Sequence, residues 1–282
     1  RGEYLFETIA KTCKLTKVFM PEHGLFGELQ DQVKLNSGDV YTNLLEGVEF
    51  ISLYGSKEES LAASLKDLKE IDALIVELQD VGCRYYTYLS TIFNLFKVLK
   101  SSETDLPIYI IDRINPAGRQ VEGTALRPGY GSFIGIEGLV HRHGLTIGEV
   151  AYMLYNEINA KFPLHIISYK ASAVNRELMP WSIPPSPNFP GLFTAHFYSG
   201  QCLWEGTNVS EGRGTTRPFE MFGAPYMEKL SGYCKENGLQ GWNDKNSPLY
   251  DEGVWVRWMR FIPTFHKWKD ECCFGFQFIP NP

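Results

Sequence analysis

The sequence predicts an α/β protein: a parallel sheet clothed by helices over residues 1–172, followed by a smaller α+β domain over 173–282. Two observations predict it. Through the first two-thirds, short apolar runs alternate with stretches whose apolar residues recur at helical spacing, a pattern that builds βαβ units with both sheet faces covered. Beyond Lys170 the texture changes to loops rich in proline (Pro180, Pro184, Pro185, Pro187, Pro190) and to aromatic strands.

Taken in order, Leu5, Ile9 and Cys13 share one face of a first helix, and residues 17–20 form a strand that stops at Pro21-Glu22-His23-Gly24. A second strand spans 48–53, and Leu61, Leu65 and Leu68 mark the helix after it. Residues 73–78 make a strand ending at Gln79-Asp80-Val81-Gly82; a helix over 86–100 leads to a strand over 107–111, which stops at Asp112-Arg113-Ile114-Asn115-Pro116. Thr146 and Glu149 have capping-box spacing, so a helix starts there and runs to about 160, with a strand over 164–169 behind it. In the second domain the pattern predicts a short helix over 219–230 and strands over 253–262 and 274–279.

Composition narrows the function. The chain has 282 residues, 44% hydrophobic, 21% charged and 14% aromatic, which suits a folded globule. Its formal charge of -6 lacks the basic footprint of phosphate-backbone binding, so nucleic acid is not an expected partner. No apolar run approaches the roughly 20 residues that cross a bilayer, so an integral membrane protein is not expected. The opening Arg1-Gly2-Glu3-Tyr4 lacks the charged start, apolar stretch and cleavage site of a signal peptide. Six cysteines without a CxxC pair leave the redox compartment open.

In an open parallel sheet, ligands lie beyond the carboxyl ends of the strands. Four predicted strand ends carry polar groups: Glu22 and His23; Tyr54; Gln79 and Asp80, with Arg84 close behind; and Asp112, Arg113 and Asn115. Each alone reads equally as an N-cap or turn residue. Glu22, held between Pro21 and Gly24 and flanked by Met20, Leu25 and Phe26, has the setting in which desolvation suits a carboxyl to general acid work; a turn glutamate paired to an arginine is the alternative. His141 and His143 share one face of a strand, which leaves a metal-dependent hydrolase open, although no third ligand with zinc spacing accompanies them and no metal is assigned. The loop 205–216 crowds Glu205, Asn208, Glu211 and Arg213 among glycines without a P-loop or dinucleotide fingerprint. Arg213 can grip a carboxylate with both arms of its fork.

These strings carry a resemblance. Pro-Glu-His-Gly at 21–24, Gln-Asp-Val-Gly-Cys-Arg-Tyr-Tyr-Thr-Tyr at 79–88, Asp-Arg-Ile-Asn-Pro at 112–116, Val-Glu-Gly at 121–123, Arg-His-Gly-Leu-Thr-Ile-Gly-Glu at 142–149, Pro-Ser-Pro-Asn at 185–188 and the whole loop 205–216 resemble, in order, the bacterial exo-β-N-acetylmuramidases of the NamZ type, glycoside hydrolase family 171. The resemblance implies a Rossmann-like first domain, a smaller second one and an active site in the cleft between them. The implied activity is removal of N-acetylmuramic acid from the non-reducing end of peptidoglycan fragments, without a cofactor and outside the cytoplasmic membrane. It implies Glu22 as a catalytic carboxyl, with Glu122 favoured and Asp80 possible as the second, or assistance from the sugar's own acetamido group. Arg213 is the expected grip on the lactyl carboxylate; His23, Arg84, Asn115, His143, Asn208 and Glu211 are expected substrate contacts. Members of the family begin with a further strand and continue past residue 282, so the chain is expected to be trimmed at both ends. A noncatalytic module that binds cell-wall glycan is the rival from another class.

Overall fold

A computed structural model describes residues 2–34, 41, 44–55, 58–168, 184–236 and 253–280. The predicted boundary at 172/173 and the predicted strand end at Tyr169 lie outside them. The chain divides into two compact units, Arg1–Pro180 with Pro185–Pro187, and Trp181–Pro184 with Asn188–Pro282.

The first unit begins with α1 (Leu5–Ala10), β1 (Lys17–Met20), β2 (Glu49–Ser52), α2 (Leu65–Lys69), β3 (Leu74–Val76), α3 (Tyr88–Ser102) and β4 (Ile108–Ile111). It continues through β5 (Glu122–Ala125), β6 (Val140–Arg142), α4 (Ile147–Glu157) and β7 (Leu164–Ile167). The apolar runs pair as predicted, in parallel: β1 with β2, and β3 with β4 with β7. They make two separate sheets among the described residues, and β5 and β6 form an antiparallel arm of their own.

Register explains the core. Leu74, Val76, Ile108, Ile110, Leu164 and Ile166 alternate onto one face and pack with Leu89, Ile92, Phe96 and Leu99 of α3 and with Val150 and Leu154 of α4. Burying each such side chain stabilises the fold by roughly 1.5–3 kcal/mol. On the opposite face Tyr109 stacks on His165 with centroids 4.7 Å apart, and Ile75 and Ile167 are 41% and 46% exposed. Coverage by helices is therefore complete on one face only among the described residues.

Helix ends follow the sequence signals. Thr146 Oγ1 accepts the Glu149 amide hydrogen at 3.2 Å while Glu149 Oε2 accepts that of Thr146 at 2.8 Å, closing the predicted capping box. Asp112, from the end of β4, adds to the same helix start by accepting from Gly148 N at 2.8 Å and Thr146 Oγ1 at 3.1 Å. Hydrogen bonds from Arg119 hold the Glu149 carboxyl below its ordinary range.

The second unit contains α5 (Leu192–Gln201), β8 (Met221–Ala224), α6 (Leu230–Glu236), β9 (Val254–Phe261) and β10 (Cys273–Pro280). Its sheet is antiparallel, with β10 between β8 and β9. Here two expectations need correction. Residues 219–230 are not one helix: Met221–Ala224 is a strand paired to β10, and a 3₁₀ turn at Pro225–Lys229 follows before α6. The rings of Phe222 and Phe276, 5.8 Å apart across the pair, stabilise the strand over the helix. Helix α5 was not predicted, because two of its buried residues, Thr194 and Gln201, are polar. Thr194 donates to Glu220 Oε1 at 2.7 Å, which makes that burial tolerable.

Candidate active site

The parallel strands of the first unit end where the sequence places its polar groups. At the end of β1 the backbone turns sharply, since His23 and Gly24 have φ of 76° and 82°. Glycine suits the second position, because other residues rarely adopt that φ. The turn leaves Glu22 buried, at 6% exposure. Its Oε2 accepts from Thr87 Oγ1 at 2.7 Å and its Oε1 from the Gln32 amide at 3.1 Å. Tyr54, at the end of β2, lies near enough for the charge of the same carboxylate to bear on its phenol. Thr87 is the N-cap of α3, yet its hydroxyl makes no capping bond and is directed to Glu22 instead.

Around this carboxylate lie Tyr54, Tyr86 and Tyr88. Burial, and secondarily the charge of Glu22, push the Tyr54 phenol well above its ordinary pKa; burial does the same for Tyr86 and Tyr88. The ring of His23 stacks on Tyr86 at 5.9 Å, and its Nδ1 donates to Leu29 O at 2.9 Å.

A second carboxylate sits at the end of β3. Asp80 is 3% exposed; its Oδ2 accepts the Gly82 amide at 2.8 Å and faces His143 Nε2 at 3.1 Å. Leu145 N donates to His143 Nδ1 at 3.2 Å, so the ring hydrogen is assigned to Nε2 and points at Asp80. Asp80 Oδ1 is buried and has no hydrogen-bond partner among the described residues. Gly82 must be glycine: its φ is 84°, and a Cβ would stand 2.2 Å from Asn115 Oδ1.

In the second unit, Glu211 is fully buried and flanked by three basic side chains. Lys267 Nζ lies 3.2 Å from its Oε2; His266 Nδ1 and Arg213 Nε lie 3.2 and 3.4 Å from its Oε1. The Arg213 guanidinium lies 4.9 Å from the Phe219 ring centroid, and its Nε and Nη2 both bond Glu205 Oε1, at 3.2 and 2.6 Å. Asn208 Oδ1 accepts from the Tyr226 hydroxyl at 2.6 Å.

A family model described as exo-β-N-acetylmuramidase NamZ, N-terminal, matches residues 1–192, and its C-terminal counterpart matches residues 196–281. The chain belongs to the NamZ family. Peptidoglycan β-N-acetylmuramidase NamZ of Bacillus subtilis (strain 168) is 36% identical over 268 residues, which cover 94% of this chain and 60% of that relative. Two crystal structures of DUF1343 family proteins from Bacteroides fragilis share the fold. One has a TM-score of 0.75 and 29% identity, covering 99% of this chain and 69% of that one. For the other the values are 0.73, 28%, 99% and 67%.

Within this NamZ fold the residues singled out from sequence divide. Glu22, His23 and Asp80 stand at strand ends, as read, with Glu22 and Asp80 both buried. Arg84, Asn115 and His143 are buried too, but hydrogen bonds inside the first unit engage their polar atoms. Arg84 Nη1 donates to Thr124 O and Leu139 O; Asn115 bonds Leu145 O and the Ala117 amide. Glu122 lies on β5 with its side chain 55% exposed and paired to Arg142 at 2.8 Å. His141 and His143 do not act as a pair: His141 contacts Tyr85 at 3.4 Å, while His143 faces Asp80. Among the described residues no three His, Cys, Asp or Glu side chains group as a metal ion requires.

Thr87, His266 and Lys267 were not singled out for these roles. Thr87 stands 65 positions from Glu22 and Lys267 56 from Glu211, so no local pattern links them.

Proposed function

We infer that this chain is a glycoside hydrolase that removes N-acetylmuramic acid from the non-reducing end of peptidoglycan fragments. The observation that carries the reading is a buried carboxyl, Glu22, fixed at the end of β1 by Thr87 and the Gln32 amide, in a chain of this family. The curated relative is a peptidoglycan β-N-acetylmuramidase, and the chain spans 60% of its length.

In this reading Glu22 gives its proton to the leaving glycosidic oxygen, while a second carboxylate serves as base, as nucleophile or as support for the substrate's acetamido group. We assign that second role to Asp80 rather than Glu122. One oxygen of Asp80 is saturated by Gly82 and His143, leaving Oδ1 to work, whereas Glu122 is largely solvated and tied to Arg142. His143 orients Asp80 through its Nε2 hydrogen instead of contacting the sugar. Glu205 already fills the fork of Arg213, so a lactyl carboxylate bound there would have to displace it. The scheme calls on no cofactor. A substrate drawn from the wall places the work outside the cytoplasmic membrane, in cell-wall recycling.

Incubation with the disaccharide of N-acetylmuramic acid and N-acetylglucosamine tests the reading: free muramic acid sugar should accumulate. Binding without release would favour the noncatalytic glycan-binding module. With the same substrate, Asp80→Asn should lower turnover at least about a hundredfold, while Glu122→Gln should stay within about threefold of the parent. The reverse ranking would move the second carboxylate to Glu122.

A further inference from the structure

The three basic side chains beside Glu211 are used differently. Lys267 spends the hydrogens of its ammonium on Trp204 O at 2.7 Å, Val209 O at 3.1 Å and Glu211 Oε2 at 3.2 Å, which is all it has to give. Arg213 is buried and holds Glu205 with Nε and Nη2. His266 has a nitrogen to spare. Its Nδ1 lies 3.2 Å from Glu211 Oε1, and because a carboxylate only accepts, Nδ1 carries the hydrogen of that bond. The opposite nitrogen, Nε2, has no hydrogen-bond partner among the described residues, and the side chain is 33% exposed.

The backbone around His266 is bent to hold it there. His266, Trp268 and Asp270 have φ of 67°, 57° and 64°, three left-handed residues other than glycine within five positions. Such conformations persist where the surroundings over-determine them, and they gather at functional sites. Here residues 263–271 are clamped to the loop 205–216. Thr264 donates to Gly214 O from both its amide and its hydroxyl, at 2.9 and 2.8 Å, and Trp268 Nε1 donates to Asn208 O at 2.6 Å. The Asp270 amide closes the turn on Pro263 O at 2.7 Å, and the ring of His266 lies against Phe265 with centroids 5.8 Å apart. The imidazole is therefore fixed on Glu211 by one edge and offers the other.

Charge says what that edge suits. Glu205 and Glu211 are balanced by Arg213 and Lys267, so the four cancel and His266 is the member of the cluster that can add a positive charge. A carboxylate brought to Nε2 meets a charge-assisted donor without breaking any bond the cluster already makes. At Arg213 the same group would first have to displace Glu205. N-acetylmuramic acid differs from N-acetylglucosamine by one lactyl ether, which supplies such a carboxylate.

We propose that His266 is the specificity-determining residue for the acid group of the substrate: its Nε2 donates to the lactyl carboxylate of N-acetylmuramic acid, while Glu211 holds the ring from behind. The proposal rests on the muramic acid substrate inferred above, and it moves to His266 the grip expected of Arg213.

The test is calorimetric binding of two free sugars, N-acetylmuramic acid and N-acetylglucosamine, to the parent and to two variants. Asparagine tolerates left-handed backbone and its amide can still donate to Glu211, but it presents no second donor where Nε2 stands. His266→Asn should weaken N-acetylmuramic acid about tenfold, the effect of losing a hydrogen bond to a charged group, and leave N-acetylglucosamine within about twofold. Glu205→Ala, which empties the Arg213 fork, should leave the preference between the two sugars within about twofold of the parent. Equal weakening of both sugars in His266→Asn, or unchanged N-acetylmuramic acid affinity, would overturn the proposal; selective tightening of N-acetylmuramic acid in Glu205→Ala would return the grip to Arg213. If His266→Asn does not fold, a crystal of the parent soaked with N-acetylmuramic acid decides, since the lactyl carboxylate must then lie within hydrogen-bonding distance of Nε2. Sugar release is measured apart from these affinities. A parent that cleaves the disaccharide without preferring muramic acid sinks this proposal alone, and one that prefers muramic acid without cleaving sinks the proposed reaction alone.

Discussion

Replacing Glu22 by glutamine is expected to lower release of muramic acid sugar by about a thousandfold, the scale on which a positioned general acid contributes. Fold should be unaffected. The amide keeps the shape of the carboxyl, and the Thr87 hydroxyl can turn to accept from it, so the thermal midpoint should stay within a few degrees of the parent. What is lost is the transferable proton. Turnover within about tenfold of the parent, measured on correctly folded protein, would remove Glu22 from the chemistry.

Replacing Glu211 by leucine should have the largest effect on stability. The carboxylate is wholly buried beside Lys267, His266 and Arg213, and removing it leaves the buried Arg213 and the partly buried Lys267 without their shared counter-charge. Breaking a buried pair from one side costs about 3–5 kcal/mol. Lys267→Met should cost less, because Glu211 keeps two other partners. All six tryptophans fall in the second unit, so urea unfolding followed by their fluorescence reports on that unit alone. A loss below about 1 kcal/mol for Glu211→Leu would mean that the cluster is solvated enough to be expendable. The loop 205–216, read from sequence as sugar-binding, would then lose its standing as a buried brace.

The two units were legible to different degrees for a physical reason. In the first, buried strands and helices carry uninterrupted apolar periodicity, and β1, β3, β4 and α4 fall close to where that periodicity puts them. In the second, α5 buries polar Thr194 against Glu220, a long-range contact with no local trace, and Met221–Ala224 has a composition that serves a helix or a strand until β10 pairs with it. The site divides the same way. Glu22 and Asp80 were visible because each follows an apolar strand. The side chain that holds Glu22 was not, because Thr87 arrives from the start of α3. Glu122 was favoured by its place in a motif, but no motif states which residues of an arm face solvent, and all four residues of β5 do.

The most direct measurement is a crystal structure of the Glu22→Gln protein with the disaccharide of N-acetylmuramic acid and N-acetylglucosamine bound. The account predicts the glycosidic oxygen within hydrogen-bonding distance of the side chain at position 22 and a polar group of the muramic acid ring on Asp80 Oδ1. A sugar bound with that oxygen far from position 22, or seated on the side chains around Arg213 alone, would contradict it.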